Sequence, residues 1–317
     1  MGQKLLIKTR VARIIDETLL IKRFVLTPVV RSAFPIVAPG DHVIVQLPNG
    51  LRRSYSLCSD TADSSRWEIT VLREDAGLGG SKLLHQAVRE GDILFVSYPQ
   101  SGFRLAESAA RHVFIAGGIG LTPFLSMIPE LARRRQSFDL HVCAKAPDRL
   151  GFADCLSALP ANGRLHRWFG PGAGGRLDIA GTFADVELDT HVYCCGPARM
   201  IEAFLTACQH WPEEHVHVEH FSGLALEDAR HGDAFEIKLA SDGRRLTVPS
   251  DRSLLQVLRE ADIAVDASCE GGACGSCRVS YLDGEAIHRD FCLRPEERRH
   301  TIAACVSRAK TLLTLDL

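Results

Sequence analysis

No stretch of this 317-residue sequence is both apolar and long enough to cross a bilayer. The longest uncharged run, Val113 to Ile128, is broken by Gly117, Gly118, Gly120 and Pro123, whereas a membrane helix needs about 20 residues. An excess of charge is missing too: 37 basic against 39 acidic residues leave a net charge of −2, and no polybasic stripe offers itself to nucleic acid or to an anionic membrane. Near the start, Lys4 and Lys8 stand where a signal peptide would need an apolar core, and Leu6 spoils a myristoylation signal after Gly2. A cytoplasmic protein with no membrane or nucleic-acid partner is expected. The 46% hydrophobic content is enough to build two or three buried cores.

Cysteine is not scarce, since there are eleven. Four have a pattern. Cys269 and Cys274 are separated by four residues, Cys274 and Cys277 by two, and Cys305 follows after twenty-seven more. This is the plant-type spacing for a [2Fe–2S] cluster. Three thiolates must come from one loop that turns sharply and brings backbone N–H groups close to sulfur, which suits Gly271, Gly272 and Gly275. A zinc site is the alternative, but it usually takes two short Cys-x-x-Cys hooks, and only Cys274 and Cys277 form one. The remaining cysteines, Cys58, Cys143, Cys155, Cys194, Cys195, Cys208 and Cys292, are odd in number and mostly in apolar contexts, as expected of reduced buried thiols.

Residues 1–106 read as six short strands separated by turn residues, the pattern of an antiparallel β-barrel. A glycine loop, Gly79-Gly80-Ser81, opens a short helix before the sixth strand. Free N–H groups and the helix dipole there favour a phosphate. On the fourth strand, Arg53-Ser54-Tyr55-Ser56 offers an arginine for phosphate, a tyrosine for a planar ring and hydroxyls for its polar edge. Together these predict a flavin site.

From 107 to 224 the pattern becomes apolar strand, helix, strand, an α/β unit with a parallel sheet. Ala116-Gly117-Gly118-Ile119-Gly120-Leu121-Thr122-Pro123 joins its first strand to its first helix, a turn that lets a pyrophosphate approach the helix N-terminus. Cys194-Cys195-Gly196-Pro197 ends a later strand, and both loops should face the crevice beyond the carboxyl ends. His215, His217 and Glu219 alternate onto one strand face and imitate metal ligands, but no fourth ligand is apparent. Residues 225–233 read as a linker. Residues 234–317 give a hairpin turning at Asp242-Gly243, one helix, the cysteine loop and further strands, a small β-grasp ferredoxin module.

With these residues in view the whole chain resembles the phthalate dioxygenase reductase family, through PNGLRRSYSLC, the GGS loop, AGGIGLTPFLSM, HVYCCGP, GEAIHRD and CVSRAK. The resemblance implies an antiparallel flavin barrel, a Rossmann-like NAD domain and a C-terminal ferredoxin domain, in that order. It implies FMN, NADH and a [2Fe–2S] cluster as cofactors, and a Rieske-type oxygenase as electron acceptor. By position, Arg53, Ser54, Tyr55 and Ser56 would hold FMN, with Gly79, Gly80 and Ser81 at its phosphate and Thr70 and Arg73 as further candidates. Gly117, Gly118, Gly120, Thr122, Cys195, Gly196 and Pro197 would frame the nicotinamide, Phe221 would stack on the flavin, and Cys195, Thr122 and Phe221 would attend hydride transfer. Cys269, Cys274, Cys277 and Cys305 would hold the iron.

There are departures from the family pattern. Leu78 stands where relatives usually carry Arg. Lys145 replaces a common arginine. Asp148 could accept a ribose hydroxyl, although Lys145 and Arg149 could face a 2′-phosphate. The alternatives left open are a reductase for a cytochrome P450 or other monooxygenase or demethylase, and a ferredoxin-type carrier with inactive upstream domains. One chain carries the full path, so a monomer is expected.

Overall fold

The computed structural model describes residues 6–75, 79–170, 175–221 and 231–317. Leu78 and residues 225–230 of the expected linker lie outside them. The chain divides into two compact units, Met1–Glu219 and His220–Leu317.

The first unit opens with β1 (Leu6–Thr18), β2 (Ile21–Pro28), β3 (His42–Gln46), β4 (Arg52–Ser56), β5 (Trp67–Leu72) and β6 (Ile93–Ser97). These strands pair antiparallel, in the order β4-β3-β6-β1-β2-β5. The Leu57–Ile69 bridge and the Cys58 N–H to the Glu68 carbonyl (2.9 Å) join the two outer strands and close the sheet. Alternation drives this: Ile7, Val11, Phe24, Leu26, Val43, Val45, Trp67, Ile69, Leu94 and Val96 point into one shared core. Helix α1 (Gly80–Ala87) lies between β5 and β6 and buries Leu84 in that core.

Next comes a parallel sheet of β7 (Arg111–Gly117), β8 (Ser137–Cys143), β9 (Gly163–Trp168), β10 (Thr190–Cys195) and β11 (Val216–Glu219), in the order β11-β10-β7-β8-β9. Helix α2 (Thr122–Arg134) follows β7. Pro123 stands in its first turn, Arg133 and Arg134 complement the dipole in its last, and Arg135 closes it in the left-handed region at φ 55°. The short helices α3 (Ala153–Ser157) and α4 (Ile179–Thr182) precede α5 (Ala198–Ala207), which starts directly after Pro197.

Barrel and sheet share a core: Cys58, Phe103 and Leu105 pack with Phe114, Phe124, Phe138, Leu140 and Tyr193. A buried ion network adds to the seam. Arg23 of β2 reaches Glu17 of β1 at 2.8 Å, Glu68 of β5 at 3.2 Å and Asp154 of α3 at 2.9 Å. Glu17 also accepts the Phe152 N–H at 2.6 Å.

The second unit contains β12 (Phe235–Leu239), β13 (Arg245–Val248), α6 (Leu254–Glu260), β14 (Arg278–Asp283), β15 (Ala286–Ile287), β16 (Thr301–Ala303), β17 (Arg308–Ala309) and β18 (Leu313–Leu315). Five of these form a mixed sheet in the order β13-β12-β18-β14-β16, and β15 pairs with β17. Ser253 and Gln256 form a capping box at the start of α6, whose Leu254, Leu255, Val257 and Leu258 fill the core under the sheet. A sheet wrapped on one helix is the β-grasp arrangement expected from the sequence. Strands β15, β16 and β17 and helices α3 and α4 carry too few residues for a readable period.

Candidate functional site

Two sites emerge, one in each unit. In the first unit the carboxyl ends of β7 and β10 meet through bare backbone. A Cβ on Gly120 would lie 2.1 Å from the Cys195 carbonyl oxygen, and one on Gly117 would lie 2.5 Å from Pro197 and 3.0 Å from the Gly196 Cα. Glycine is therefore required where these loops cross, and Gly118, at φ 57°, turns the chain into the crevice. Thr122 is buried and donates its hydroxyl to the Ile119 carbonyl at 3.0 Å, so it can offer a ligand only its lone pairs.

Cys195 and Glu219 are register partners at the ends of β10 and β11. Ser56, the last residue of β4, donates its hydroxyl to Glu219 Oε2 at 3.5 Å. Burial pushes the Glu219 carboxyl up to about 8, against the pull of the Ser56 bond, and pushes the Cys195 thiol well above its ordinary value with the Glu219 charge adding to the shift. Thus Cys195 is held as a thiol, not a nucleophile. Glu219, read from the sequence as part of a simple strand face with His215 and His217, also joins barrel to sheet beside the carboxyl end of β10. The signal available was its place at the carboxyl end of a parallel strand.

On the barrel side, a Cβ on Gly80 would lie 2.9 Å from Arg53 Cγ and 3.0 Å from its Nε, so the arginine crosses directly over the first turn of α1. Gly79, at φ 82°, precedes that helix without a side-chain cap, leaving its first N–H groups to a ligand. Ser81 accepts the Glu74 N–H at 3.0 Å. Burial raises the Tyr55 phenol well above its ordinary value, keeping it neutral for contact with a ring. Ser54 lies beside it on β4. Thr70 is buried with its hydroxyl 3.4 Å from the Cys58 sulfur, Arg73 pairs with Asp75 at 3.3 Å, and Asp148 is exposed beside Arg149. Arginine over a helix N-terminus with a neutral tyrosine and a serine on the same strand suits a flavin phosphate and ring.

In the second unit the four cysteines fall into two pairs. The Cys274 N–H approaches the Cys269 sulfur at 3.3 Å, the Cys269 N–H approaches the Cys274 sulfur at 3.5 Å, and the Cys277 and Cys305 sulfurs are 3.1 Å apart. The Gly271 N–H adds a contact to Cys269 at 3.5 Å. Glu270, Gly272 and Gly275 all take positive φ, which curls the loop around the sulfurs. Hydrogen bonding within each pair lowers one thiol, Cys274 or Cys277, and raises its partner, Cys269 or Cys305. Among the described residues, no three His, Cys, Asp or Glu side chains converge as ligands of a single ion. Two thiol pairs lined by N–H groups fit a two-iron cluster instead. Phe221 is 39% exposed, and its neighbour His220 stacks on Phe291 at 4.2 Å.

A nucleotide-type crevice and flavin cradle in one unit, with a cluster loop in the other, define a flavin and iron–sulfur reductase. Residues 237–310 match the family model for the 2Fe-2S iron-sulfur cluster binding domain. The phthalate 4,5-dioxygenase oxygenase reductase subunit of Pseudomonas putida is 38% identical over 100% of this chain and 96% of its own. The tert-butanol monooxygenase / tert-amyl alcohol desaturase reductase subunit of Aquincola tertiaricarbonis is 41% identical over 88% and 86%. Among solved structures, phthalate dioxygenase reductase superposes with a TM-score of 0.73 at 36% identity, covering 98% of both chains. An intact type IV self-sufficient cytochrome P450 monooxygenase gives 0.87 at 34% identity over 98% of this chain, which spans 41% of that longer one. The chain belongs to the phthalate dioxygenase reductase family.

Proposed function

We propose that this protein is the reductase component of a Rieske-type oxygenase system, which oxidises NADH on FMN and passes electrons singly through its [2Fe–2S] cluster to the oxygenase. The observation that carries the reading is the Ser56, Glu219 and Cys195 constellation, built from the barrel strand β4 and the neighbouring sheet strands β10 and β11, in a chain that also holds four paired cluster thiols. When bound, the flavin accepts a two-electron hydride and releases its electrons one at a time, matching the one-electron cluster.

The protein's own residues position and exclude. Arg53 and the N–H groups of α1 hold a phosphate. Tyr55 supplies a neutral ring face. Gly117 and Gly120 bring two loops close enough to shape a slot for a flat ring, and the uncharged Cys195 thiol lines it. Below about pH 8 the protonated Glu219 carboxyl places no charge beside a nicotinamide that becomes positive as it loses hydride. Phe221, two residues beyond Glu219, is the candidate for the flavin face, to be displaced when nicotinamide enters. The reading includes a cytoplasmic monomer, in keeping with the lack of any described helix long and apolar enough to cross a membrane.

The test is a visible spectrum of the anaerobic protein before and after one equivalent of NADH. A flavin band beside iron–sulfur shoulders, bleached by NADH, is expected. A cluster spectrum without flavin, or one that NADH leaves unchanged, would overturn the reading in favour of a carrier.

A further inference from the structure

The GEAIHRD stretch, residues 284–290, carries the resemblance but has no part in either site so far. Its last residue, Asp290, has a side chain wholly excluded from solvent. A carboxylate there is costly unless it is neutralised. Its compensation is incomplete. Oδ2 accepts the Leu293 N–H at 2.9 Å, takes a long contact from the Cys292 thiol at 3.9 Å and lies 3.6 Å from the Arg298 guanidinium, and Oδ1 lies 3.5 Å from His288 Nδ1 without a hydrogen bond. Arg298 is 38% exposed, so water screens its charge more than it screens that of Asp290.

The backbone at Asp290 packs directly against the cluster loop. A Cβ on Gly272, in the loop between Cys269 and Cys274, would lie 3.2 Å from the Asp290 Cα, and the Phe291 N–H donates to the Gly272 carbonyl at 3.0 Å. Asp290 thus lies against the loop that carries the thiols.

We propose that Asp290 sets the reduction potential of the cluster, holding it low with a buried negative charge, and that Arg298 is the counterweight. The proposal rests on the iron–sulfur reading above. An electron arriving at the cluster adds one negative charge, and a carboxylate behind the loop opposes that addition. The same residue also fixes the loop, because its bond to Leu293 forms the turn that presents the Phe291 N–H to Gly272. It is a tuning and positioning residue.

The charge and the fold separate experimentally. In Asp290→Asn the amide oxygen can still accept the Leu293 N–H while the charge is lost. Arg298→Gln removes the opposite charge. The wild-type holoprotein and its two variants are titrated spectroelectrochemically, with the reduced cluster read by electron paramagnetic resonance and iron content measured alongside. At one fixed poise, Asp290→Asn should raise the ratio of reduced to oxidised cluster about tenfold, equivalent to ~59 mV for a one-electron couple, and Arg298→Gln should lower it about threefold. Opposite signs are the signature, since damage to packing would move both variants the same way.

A change under about twofold in Asp290→Asn, or shifts of one sign in both, overturns the proposal. If Asp290→Asn fails to retain iron, Arg298→Gln decides alone: a lowered ratio supports the proposal and an unchanged one overturns it. Failure of both variants to load iron assigns the pair to folding and overturns it as well. A wild type without a [2Fe–2S] signal would instead sink the iron–sulfur reading.

Discussion

Glu219 shows what a single residue contributes here that its neighbours in the sequence do not announce. Its carboxyl titrates near 8 because it is desolvated between Cys195 and Ser56, so it is protonated at neutral pH. The rate of anaerobic flavin reduction by NADH, followed by stopped flow, should change across an inflection near pH 8 in the wild type. In Glu219→Gln, a mimic of the protonated form, the profile from pH 7 to 9 should be flat, with the neutral-pH rate within about tenfold of wild type. Persistence of the inflection in the variant would show that another group titrates. Stability follows the same sign. A carboxyl whose folded value lies above its unfolded one favours the fold at low pH, and that contribution is lost as pH rises from 4.5 through about 8. Ser56 and Glu219 are 163 residues apart, so no local spacing could reveal their bond. The cluster cysteines were legible because three of the four lie in one loop whose spacing is dictated by the metal group.

At the scale of elements, the glycine turn after β7 was readable as a turn, but its reason was not. Gly120 leaves room for the carbonyl of Cys195, a residue of another strand, and not only for a tight bend. Gly120→Ala must displace the β10 end, so nicotinamide binding should weaken at least tenfold while the flavin spectrum stays unchanged. Titration with a non-reducing nicotinamide analogue measures this, and unaltered affinity would mean the loops can separate freely. The Arg23 network was invisible in the sequence because its partners come from β1, β5 and α3. Arg23→Ala strands Glu17 without its cation, leaves Glu68 with Arg66 alone, and should cost about 3–5 kcal/mol in denaturant unfolding. A loss under about 1 kcal/mol would place the pair in solvent-like surroundings.

At the scale of the whole molecule, the three-part order, barrel, parallel sheet, β-grasp, was legible because each part has its own period and its own turn chemistry. What the periods do not give is how the first two parts are joined. Acid should attack that body first. His112 is wholly buried with neither ring nitrogen bonded, and its pKa falls to about 4, as does that of His217. A histidine depressed in the fold takes up its proton only on unfolding, so stability should fall as pH drops from 6.5 toward 4. For His112 alone the loss is on the order of 3 kcal/mol by pH 4. Unfolding midpoints in His112→Gln should show a shallower decline over that interval, and parallel declines would remove His112 as the cause.

The seam between barrel and sheet also bears on how such chains can be recombined. Because Phe103 and Leu105 pack with Phe124 and Tyr193, and Arg23 is knotted to Asp154, a graft that cut near residue 106 would pair two half-cores never fitted to each other. A cut just after Glu219 would leave both cores whole. The interchangeable part of this molecule is its iron–sulfur tail, and the flavin and nicotinamide halves travel as one.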